Sequence, residues 1–319
     1  MTQTDEIRQV QDAARAVRQN IGRVIVGKEE VVDQLMVALL CEGHVLFEDV
    51  PGIGKTTLAK ALAKSLDCSF QRIQFTPDLL PSDITGITFY NQKKGEFEYR
   101  PGPLLSQVVL ADEINRATPR TQSALLEAME ERQISVERET LPLPRPFMVI
   151  ATQNPVELEG TFPLPEAQLD RFLMRLRIDY PSQAEERLIL QRFKEAQPLQ
   201  DLTPVVRAER LQELQKTIRR VKVEPSVESY IVELVRATRT HSAVELGVSP
   251  RGTLALYRAS QARAAIKGRN YIIPDDVKHM AQPILSHRMI ATNQTRMHGR
   301  GMEQIVEDVL HIVAVPVES

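Results

Sequence analysis

The sequence has no tryptophan, only two cysteines and no long hydrophobic run. The cysteines, Cys41 and Cys68, are too few for a disulfide-stapled secreted module and indicate a reduced, cytoplasmic compartment. The apolar run 35–41 falls far short of the roughly 20 residues that cross a bilayer, so we expect no membrane span. The first residues, MTQTDEIRQV, are polar and include acids, which is not the pattern of a signal peptide.

Net charge is also nearly absent. Forty Lys and Arg stand against 42 Asp and Glu, and the balance of −2 gives no electrostatic reason to expect a nucleic-acid partner. The balance is uneven along the chain, because residues 1–180 carry −6 and residues 181–319 carry +4. Residues 251–300 alone carry +7, which is typical of a solvated helical surface unless a phosphate partner accounts for part of it.

The chain itself is of ordinary globular composition. Its 319 residues, 42% apolar and 26% charged, are enough for two domains. Up to residue 180, short apolar runs at 44–48, 108–111 and 147–152 alternate with helical patterns, which predicts an α/β domain with a parallel sheet over 1–180. After Tyr180 the strand signals nearly vanish, and an all-helical domain is predicted over 181–319. Its helices are predicted at 182–196, 207–220, 226–240, 251–267 and 274–282.

The stretch HVLFEDVPGIGKTTLAKALAKS, residues 44–65, predicts a phosphate-binding loop between a strand and a helix. Gly52 and Gly54 allow close backbone approach, and the N–H groups at the helix start cradle phosphate oxygens. In such a loop Lys55 reaches the β- and γ-phosphates, and the Thr56 hydroxyl binds Mg²⁺. Asp49 stands where the motif has its first glycine, so the conformation of the loop is left open.

Polar residues follow the next two predicted strands. In VVLADE, Asp112 can hold Mg²⁺ and Glu113 can polarise an attacking water. In ATQNP, Asn154 can orient that water, with Thr152 as the alternative. Ligands bind at the carboxyl edge of open α/β sheets, so we expect these side chains beside the phosphate loop.

At these residues the sequence resembles the MoxR family of AAA+ ATPases, and the resemblance covers nearly the whole chain. It rests on LFEDVPGIGKTTLAKALA, on GEFEYRPGPL followed by ADEINRATPRTQSALLEAMEE, on ATQNPVELEGTFPLPEAQLDRF and on VSPRGTLAL, in that order. Members of this family often carry an acid at the position of Asp49, which therefore fits the pattern.

The resemblance implies a role for each matching residue. The implied nucleotide-binding residues are Val26, Gly27, Gly52, Ile53, Gly54, Lys55, Thr56 and Thr57, and the implied ligands of Mg²⁺ are Thr56 and Asp112. Glu113 and Asn154 are implied as the Walker B glutamate and sensor 1. Arg171 resembles an arginine finger offered to a neighbouring subunit's ATP, with Arg116, Arg120, Arg175 and Arg177 as alternatives. Arg251, in the first turn of a helix, resembles sensor 2, reaching the γ-phosphate from the helical lid.

Two segments resemble insertions of the MoxR and magnesium-chelatase branch. Residues 83–103 have the pattern of a β-hairpin with strands at 87–90 and 96–99, and the resemblance identifies them as the helix-2 insert. Residues 133–145, with turn residues 137–139, resemble the hairpin that precedes sensor 1. Such hairpins either handle the client protein or merely stabilise the domain.

The resemblance implies an ATP-hydrolysing chaperone, assembled as a hexameric ring, that remodels partner proteins carrying von Willebrand factor A domains. Its implied cofactors are ATP and Mg²⁺. Two alternatives stay open, the ATPase subunit of a metal chelatase and a nucleic-acid motor. An inactive scaffold is disfavoured because every expected catalytic residue is present.

Overall fold

A computed structural model describes residues 3–136, 139–154, 160–194 and 198–316 of the chain. The strands are β1 Val45–Glu48, β2 Phe70–Gln74, β3 Gly86–Asn91, β4 Glu96–Pro101, β5 Val108–Asp112, β6 Gln133–Val136, β7 Glu139–Pro142, β8 Met148–Gln153, β9 Met174–Leu176, β10 Val244–Leu246 and β11 Ile290–Ala291. The helices are α1 Gln3–Gly22, α2 Glu29–Leu40, α3 Lys55–Ser65, α4 Pro81–Thr85, α5 Pro119–Glu131, α6 Glu166–Leu169, α7 Gln183–Phe193, α8 Ala208–Ile218, α9 Pro225–Thr240, α10 Pro250–Ile266, α11 Pro274–Leu285, α12 Asn293–Met297 and α13 Met302–Ile312.

Five parallel strands form the central sheet in the order β2-β5-β8-β1-β9, which confirms the predicted α/β class. Side chains alternate between its two faces, as they must in a strand. Phe47 packs into one hydrophobic core and Leu46 into the other. The predicted strands at 44–48, 108–111 and 147–152 correspond to β1, β5 and β8, whereas β2 and β9 were not predicted.

Helices account for most of the chain after residue 180, as predicted. Their starts carry ordinary signals: Ser182 caps α7 in a capping box with Glu185, and Pro225, Pro250 and Pro274 occupy the first turns of α9, α10 and α11. The structure adds one short antiparallel pair, β10 with β11. It also adds α12 and α13, which the sequence pattern did not indicate.

The first two helices join the C-terminal ones. Val17 of α1 and Leu35 of α2 lie in the same buried cluster as Leu211 of α8 and Leu256 of α10, and this cluster continues onto one face of the sheet. The strands of the central sheet nevertheless all lie between residues 45 and 176. The division of the chain into two domains at residue 180 stays a prediction.

Both predicted hairpins are present. β3 pairs with β4 from Gly86 opposite Pro101 to Asn91 opposite Glu96, within the predicted range 83–103. β6 pairs with β7 within the predicted range 133–145. Of the predicted turn at its tip, Glu137 and Arg138 lie outside the described residues. Among the residues that the structure does describe, no helix is both long and apolar enough to cross a membrane.

Much of the positive charge of residues 251–300 is balanced within the chain. Lys267 of α10 donates to buried Asp33 of α2 at 3.0 Å, and Arg18 of α1 donates to the same carboxylate at 2.7 and 2.8 Å. Arg269 donates to both oxygens of buried Asp276 at 2.6 and 2.7 Å. Lys267 and Arg269 are therefore neither a plain solvated surface nor a lining for phosphate, because intramolecular carboxylates hold them.

Candidate nucleotide-binding site

The phosphate loop lies between β1 and α3, as predicted. Gly52 and Gly54 have φ angles of +86° and +95°, in the left-handed region that favours glycine. Gly54 immediately precedes the first turn of α3, whose N–H groups are directed at the loop. The Lys55 ammonium donates to the carbonyl oxygens of Asp49 and Val50 at 3.1 and 2.7 Å, and burial lowers its pKa. A lysine held inside this loop is placed to meet phosphate oxygens.

Asp49, the acid in place of the motif glycine, ties the loop to the segment that follows β9. It is buried, and its carboxylate accepts from the backbone N–H groups of Ile178 at 2.6 Å and Asp179 at 3.4 Å. Burial raises the pKa of Asp49, while these two hydrogen bonds act in the opposite direction. Sequence reasoning noted this residue only as a departure, because its partners lie about 130 residues away.

The two acids at the end of β5 are held by Thr152 of β8. The Thr152 hydroxyl donates to the Asp112 carboxylate at 2.5 Å and accepts from the Glu113 N–H at 2.8 Å. Glu113 has a φ of +58°, a left-handed conformation that is unusual for a residue other than glycine. One buried hydroxyl therefore fixes both the Asp112 side chain and the strained backbone of Glu113.

Two polar residues of β2, Arg72 and Gln74, also reach these acids. Arg72 donates to Asp112 at 2.7 Å, and the Gln74 amide donates to Glu113 at 2.8 Å. Neither was predicted from the sequence, because β2 itself was not recognised. The alternation of polar and apolar residues in RIQF, 72–75, was the signal that could have identified the strand.

A cavity of about 360 Å³ brings these groups together. Its lining residues are Asp49, Pro51, Gly52, Gly54, Lys55, Thr56, Thr57, Arg72, Asp112, Glu113, Thr152, Gln153 and Asn154. Asn154 is buried at the end of β8, beside the two acids, as predicted. Thr56 and Asp112 offer a hydroxyl and a carboxylate to the same space, and this oxygen donor set fits Mg²⁺ that is also bound by substrate phosphates.

A second cavity, of about 430 Å³, adjoins the other side of the phosphate loop. Val26, Ile53 and Thr57 line it, and Gly27 follows Val26 with a φ of +69°. The cavity is more apolar than the first, since Ile189 and Phe193 of α7 also contribute to it. A largely apolar space next to a phosphate loop suits a nucleobase. The residues from α7 were not among those predicted.

Arg171 and Arg251 do not line either cavity, so the role of Arg251 in reaching the γ-phosphate from the helical lid stays a prediction. Arg171 precedes β9, whose Met174 pairs with Val45, the first residue of β1. The phosphate loop follows the last residue of β1, so Arg171 lies at the opposite end of the sheet. Arg251 in the first turn of α10 lies beside it, because both guanidinium groups pair with the Glu130 carboxylate, at 3.0 and 3.2 Å.

The alternative finger residues have other surroundings. Arg116 pairs with Glu113 at 3.3 Å, and Arg120 is exposed at the start of α5. Arg175 and Arg177 both pair with Glu48 and with Glu303 of α13. These pairs attach α13 to the edge of the sheet at β9, which gives both arginines a structural role.

Comparison with known proteins agrees with the fold. Residues 44–174 match the family described as "ATPase family associated with various cellular activities (AAA)", and residues 236–309 match the AAA lid domain. The chain is similar to the uncharacterised protein YeaC of Bacillus subtilis, at 52% identity over 94% of each chain. It is also similar to chaperone MoxR1 of Mycobacterium tuberculosis, at 41% identity over 93% of this chain and 80% of that one.

A solved structure supports the same assignment. The fold is similar to the crystal structure of a candidate ATPase from Cytophaga hutchinsonii, with a TM-score of 0.92 and 39% identity over 98% of both chains. A parallel sheet with a phosphate loop, followed by a helical lid, defines the AAA class of ATPases. Within that class the chain belongs to the MoxR family.

Proposed function

We propose that this protein binds and hydrolyses ATP, in a ring whose sites are each completed by a neighbouring subunit, and uses the cycle to remodel partner proteins. The observation that carries the proposal is the convergence of Lys55, Thr56, Asp112 and Glu113 on one cavity. Phosphoryl transfer to water needs positioning and neutralisation of charge more than covalent chemistry, and these residues provide both.

Each group has one task in this reaction. Lys55 and the N–H groups at the start of α3 bind the phosphates, and the adjoining apolar cavity takes the nucleobase. Asn154 orients the attacking water, and Glu113 accepts its proton. Thr56 and Asp112 would hold Mg²⁺, which supplies neutralisation of phosphate charge when bound. Arg72 and Thr152 keep the Asp112 carboxylate in place.

Arg171 and Arg251 act, in this proposal, on the ATP of the next subunit. They lie at the end of the sheet opposite their own phosphate loop, so neither can serve its own site without rearrangement. In a closed ring with head-to-tail contacts, the arginine end of each subunit meets the phosphate-loop end of the next subunit. Hydrolysis then depends on assembly, and we propose a hexamer.

The role in remodelling rests on relatedness to the chaperone MoxR1. We propose client proteins with von Willebrand factor A domains, and the exposed side chains of the β3–β4 hairpin as one surface offered to them. Phe97 is 73% exposed and Tyr90 is 53% exposed, and the two rings pack edge to face. Capture of proteins by the Glu113→Gln variant with ATP tests this part of the proposal.

Three variants test the catalytic part. Lys55→Ala should abolish ATP binding because it removes the cation from the phosphate loop. Glu113→Gln should bind ATP and fail to hydrolyse it, because an amide cannot accept the proton.

Arg171→Ala should bind ATP and lose turnover by a large factor, since an arginine finger can contribute about 10³–10⁵ in rate. Nucleotide binding and phosphate release are measured separately on each purified variant.

Arg120→Ala is the matched control, since this exposed arginine should leave turnover near the wild-type value. Wild-type turnover by Arg171→Ala would contradict the shared site. Wild-type turnover by Glu113→Gln would contradict the assignment of the base.

A further inference from the structure

Glu130, which lies in the last turn of α5, is a carboxylate shared by two arginines. Its Oε2 lies 3.0 Å from Arg171 Nη2, and its Oε1 lies 3.2 Å from Arg251 Nη1. The two arginines are 80 residues apart in the chain, and each uses a different oxygen of one carboxylate. All three side chains are partly exposed, at 30 to 46% of their surface, so they are accessible to a ligand or to a neighbouring subunit.

A second carboxylate fixes the backbone segments that carry these arginines. Asp170, next to Arg171, accepts from the Ser249 hydroxyl at 3.4 Å and from Arg288 Nε at 2.6 Å. Arg288 is buried, and it also donates to the carbonyl oxygen of Phe172 at 2.6 Å. The segment 170–172 is therefore held against the start of α10 and against the turn 286–288 that follows α11. The arginine side chains beyond this backbone are what Glu130 has to orient.

Charge explains why those side chains need a shared acid. The cavity that they line, of about 250 Å³, is also lined by Arg132, Arg258 and Arg288, which outnumber its two other acids, Glu42 and Asp170. Two guanidinium groups in such surroundings repel each other and would diverge into solvent. A carboxylate between them keeps them together. Each guanidinium has five N–H donors, so one contact with Glu130 leaves most of them available for phosphate oxygens.

We propose that Glu130 is a positioning residue that holds Arg171 and Arg251 as one unit, directed at the phosphates bound by the next subunit. The inference rests on the proposed function, because it requires that the arginines act between subunits. Glu130 itself does not contact the substrate. Glu130 should therefore influence hydrolysis from the subunit that donates the arginines, and not from the subunit that binds the ATP.

Mixed rings test this placement directly. Lys55→Ala subunits cannot bind ATP but still donate their arginines, whereas Arg171→Ala subunits bind ATP but lack the finger. Mixing the two should restore hydrolysis at the interfaces where an intact finger meets an intact phosphate loop. Glu130→Gln is then added to one partner at a time. A glutamine keeps the size of the side chain but loses the charge that binds both guanidinium groups.

We expect about a tenfold loss of restored kcat when Glu130→Gln is on the Lys55→Ala partner, similar to the loss when an outer-shell residue is removed from other sites. On the Arg171→Ala partner it should have no effect, and KM for ATP should change less than twofold in both mixtures. Glu131→Gln is the matched control, since Glu131 is exposed in the same helical turn and should change neither mixture.

The possible failures are distinguishable. The mixture of Lys55→Ala and Arg171→Ala subunits without Glu130→Gln is the reference. If this reference mixture restores hydrolysis but Glu130→Gln lowers kcat equally in both partners, or in neither, the positioning role is wrong. A rise in kcat would also overturn it, because Glu130 would then restrain the arginines from the phosphate. If the reference mixture restores no hydrolysis although both variants assemble, the proposal of a site shared between subunits is wrong, and the role of Glu130 is wrong with it.

Discussion

Thr152 is the residue of β8 that hydrogen-bonds to both acids at the end of β5. Thr152 is buried, and its hydroxyl donates to Asp112 and accepts from the N–H group of Glu113. Asp49 acts similarly at the phosphate loop, where its carboxylate accepts from the backbone after β9. Neither residue needs to touch the substrate, yet each determines where a group that does so is placed. The site therefore depends on buried polar contacts as much as on its proposed catalytic residues.

Thr152→Val should lower ATP turnover by about 10- to 100-fold, since loss of an outer-shell hydrogen bond has this effect in other metal sites. Valine has nearly the shape of threonine but leaves Asp112 without one donor and the Glu113 N–H without its acceptor. Turnover should also require a higher Mg²⁺ concentration, which is measured by titration in the ATPase assay. Thr152→Ser keeps the hydroxyl and should remain close to the wild type, and an equal loss in both variants would contradict this role.

At the scale of elements, ion pairs attach the N-terminal helices to the C-terminal ones. Asp33 of α2 is buried and binds Arg18 of α1 and Lys267 of α10. Glu30 of the same helix lies beside Arg263 of α10 and His279 of α11. These pairs hold α1 and α2 against α10 and α11, whose apolar residues share the large hydrophobic core.

Asp33→Asn should lower the free energy of unfolding by about 2 kcal/mol. Breaking a fully buried pair costs about 3–5 kcal/mol, and the smaller value is expected because Arg18 and Lys267 still reach water. Asp12→Asn is the matched control, since Asp12 pairs with Arg15 on the exposed face of α1 and should cost less than about 0.5 kcal/mol. Urea denaturation measures both. If both variants lower the free energy of unfolding by the same amount, the ion pairs of buried Asp33 stabilise the fold no more than an exposed pair does.

At the scale of the whole molecule, the uneven charge along the chain is largely internal pairing. The stretch 251–300, with its charge of +7, meets acids from both ends of the chain, as Lys267 pairs with Asp33 and Arg300 with Asp308. Arg288, also in this stretch, is buried against Asp170, and burial lowers its pKa to about 10. Cations engaged in this way cannot also replace counterions along a nucleic-acid backbone. The folded protein therefore presents much less free positive charge than its C-terminal sequence contains.

Binding to duplex DNA should accordingly be weak and should depend little on salt. A protein that neutralises six to ten phosphates shows a steep fall of affinity between about 50 and 200 mM salt. We expect a slope of log affinity against log salt of about −2 or shallower, measured by fluorescence anisotropy with a labelled duplex. Addition of DNA should also leave the ATPase rate unchanged. A steep slope together with stimulated hydrolysis would instead favour the nucleic-acid motor.

The sequence was most informative where the structure is local. Residues 44–65 form a strand, a loop and a helix in succession, so their spacing was enough to predict the phosphate loop and the places of Lys55 and Thr56. The hairpin at 83–103 was predicted for the same reason, since its two strands are neighbours in the chain. The acids after β5 and Asn154 after β8 needed one further principle, that the carboxyl ends of parallel strands meet at one edge.

By itself, then, the sequence determined the α/β class, the helical C-terminal part and the meeting of Lys55, Thr56, Asp112 and Glu113 at one edge of the sheet. Only the tertiary structure decided which distant side chains meet: Asp49 with Ile178, Arg72 and Gln74 with the acids, and Glu130 with Arg171 and Arg251. The physical reason is that strand order and the packing of the lid bring together residues with no common period in the sequence. The same packing places Arg251 beside Arg171, at the end of the sheet opposite its own phosphate loop.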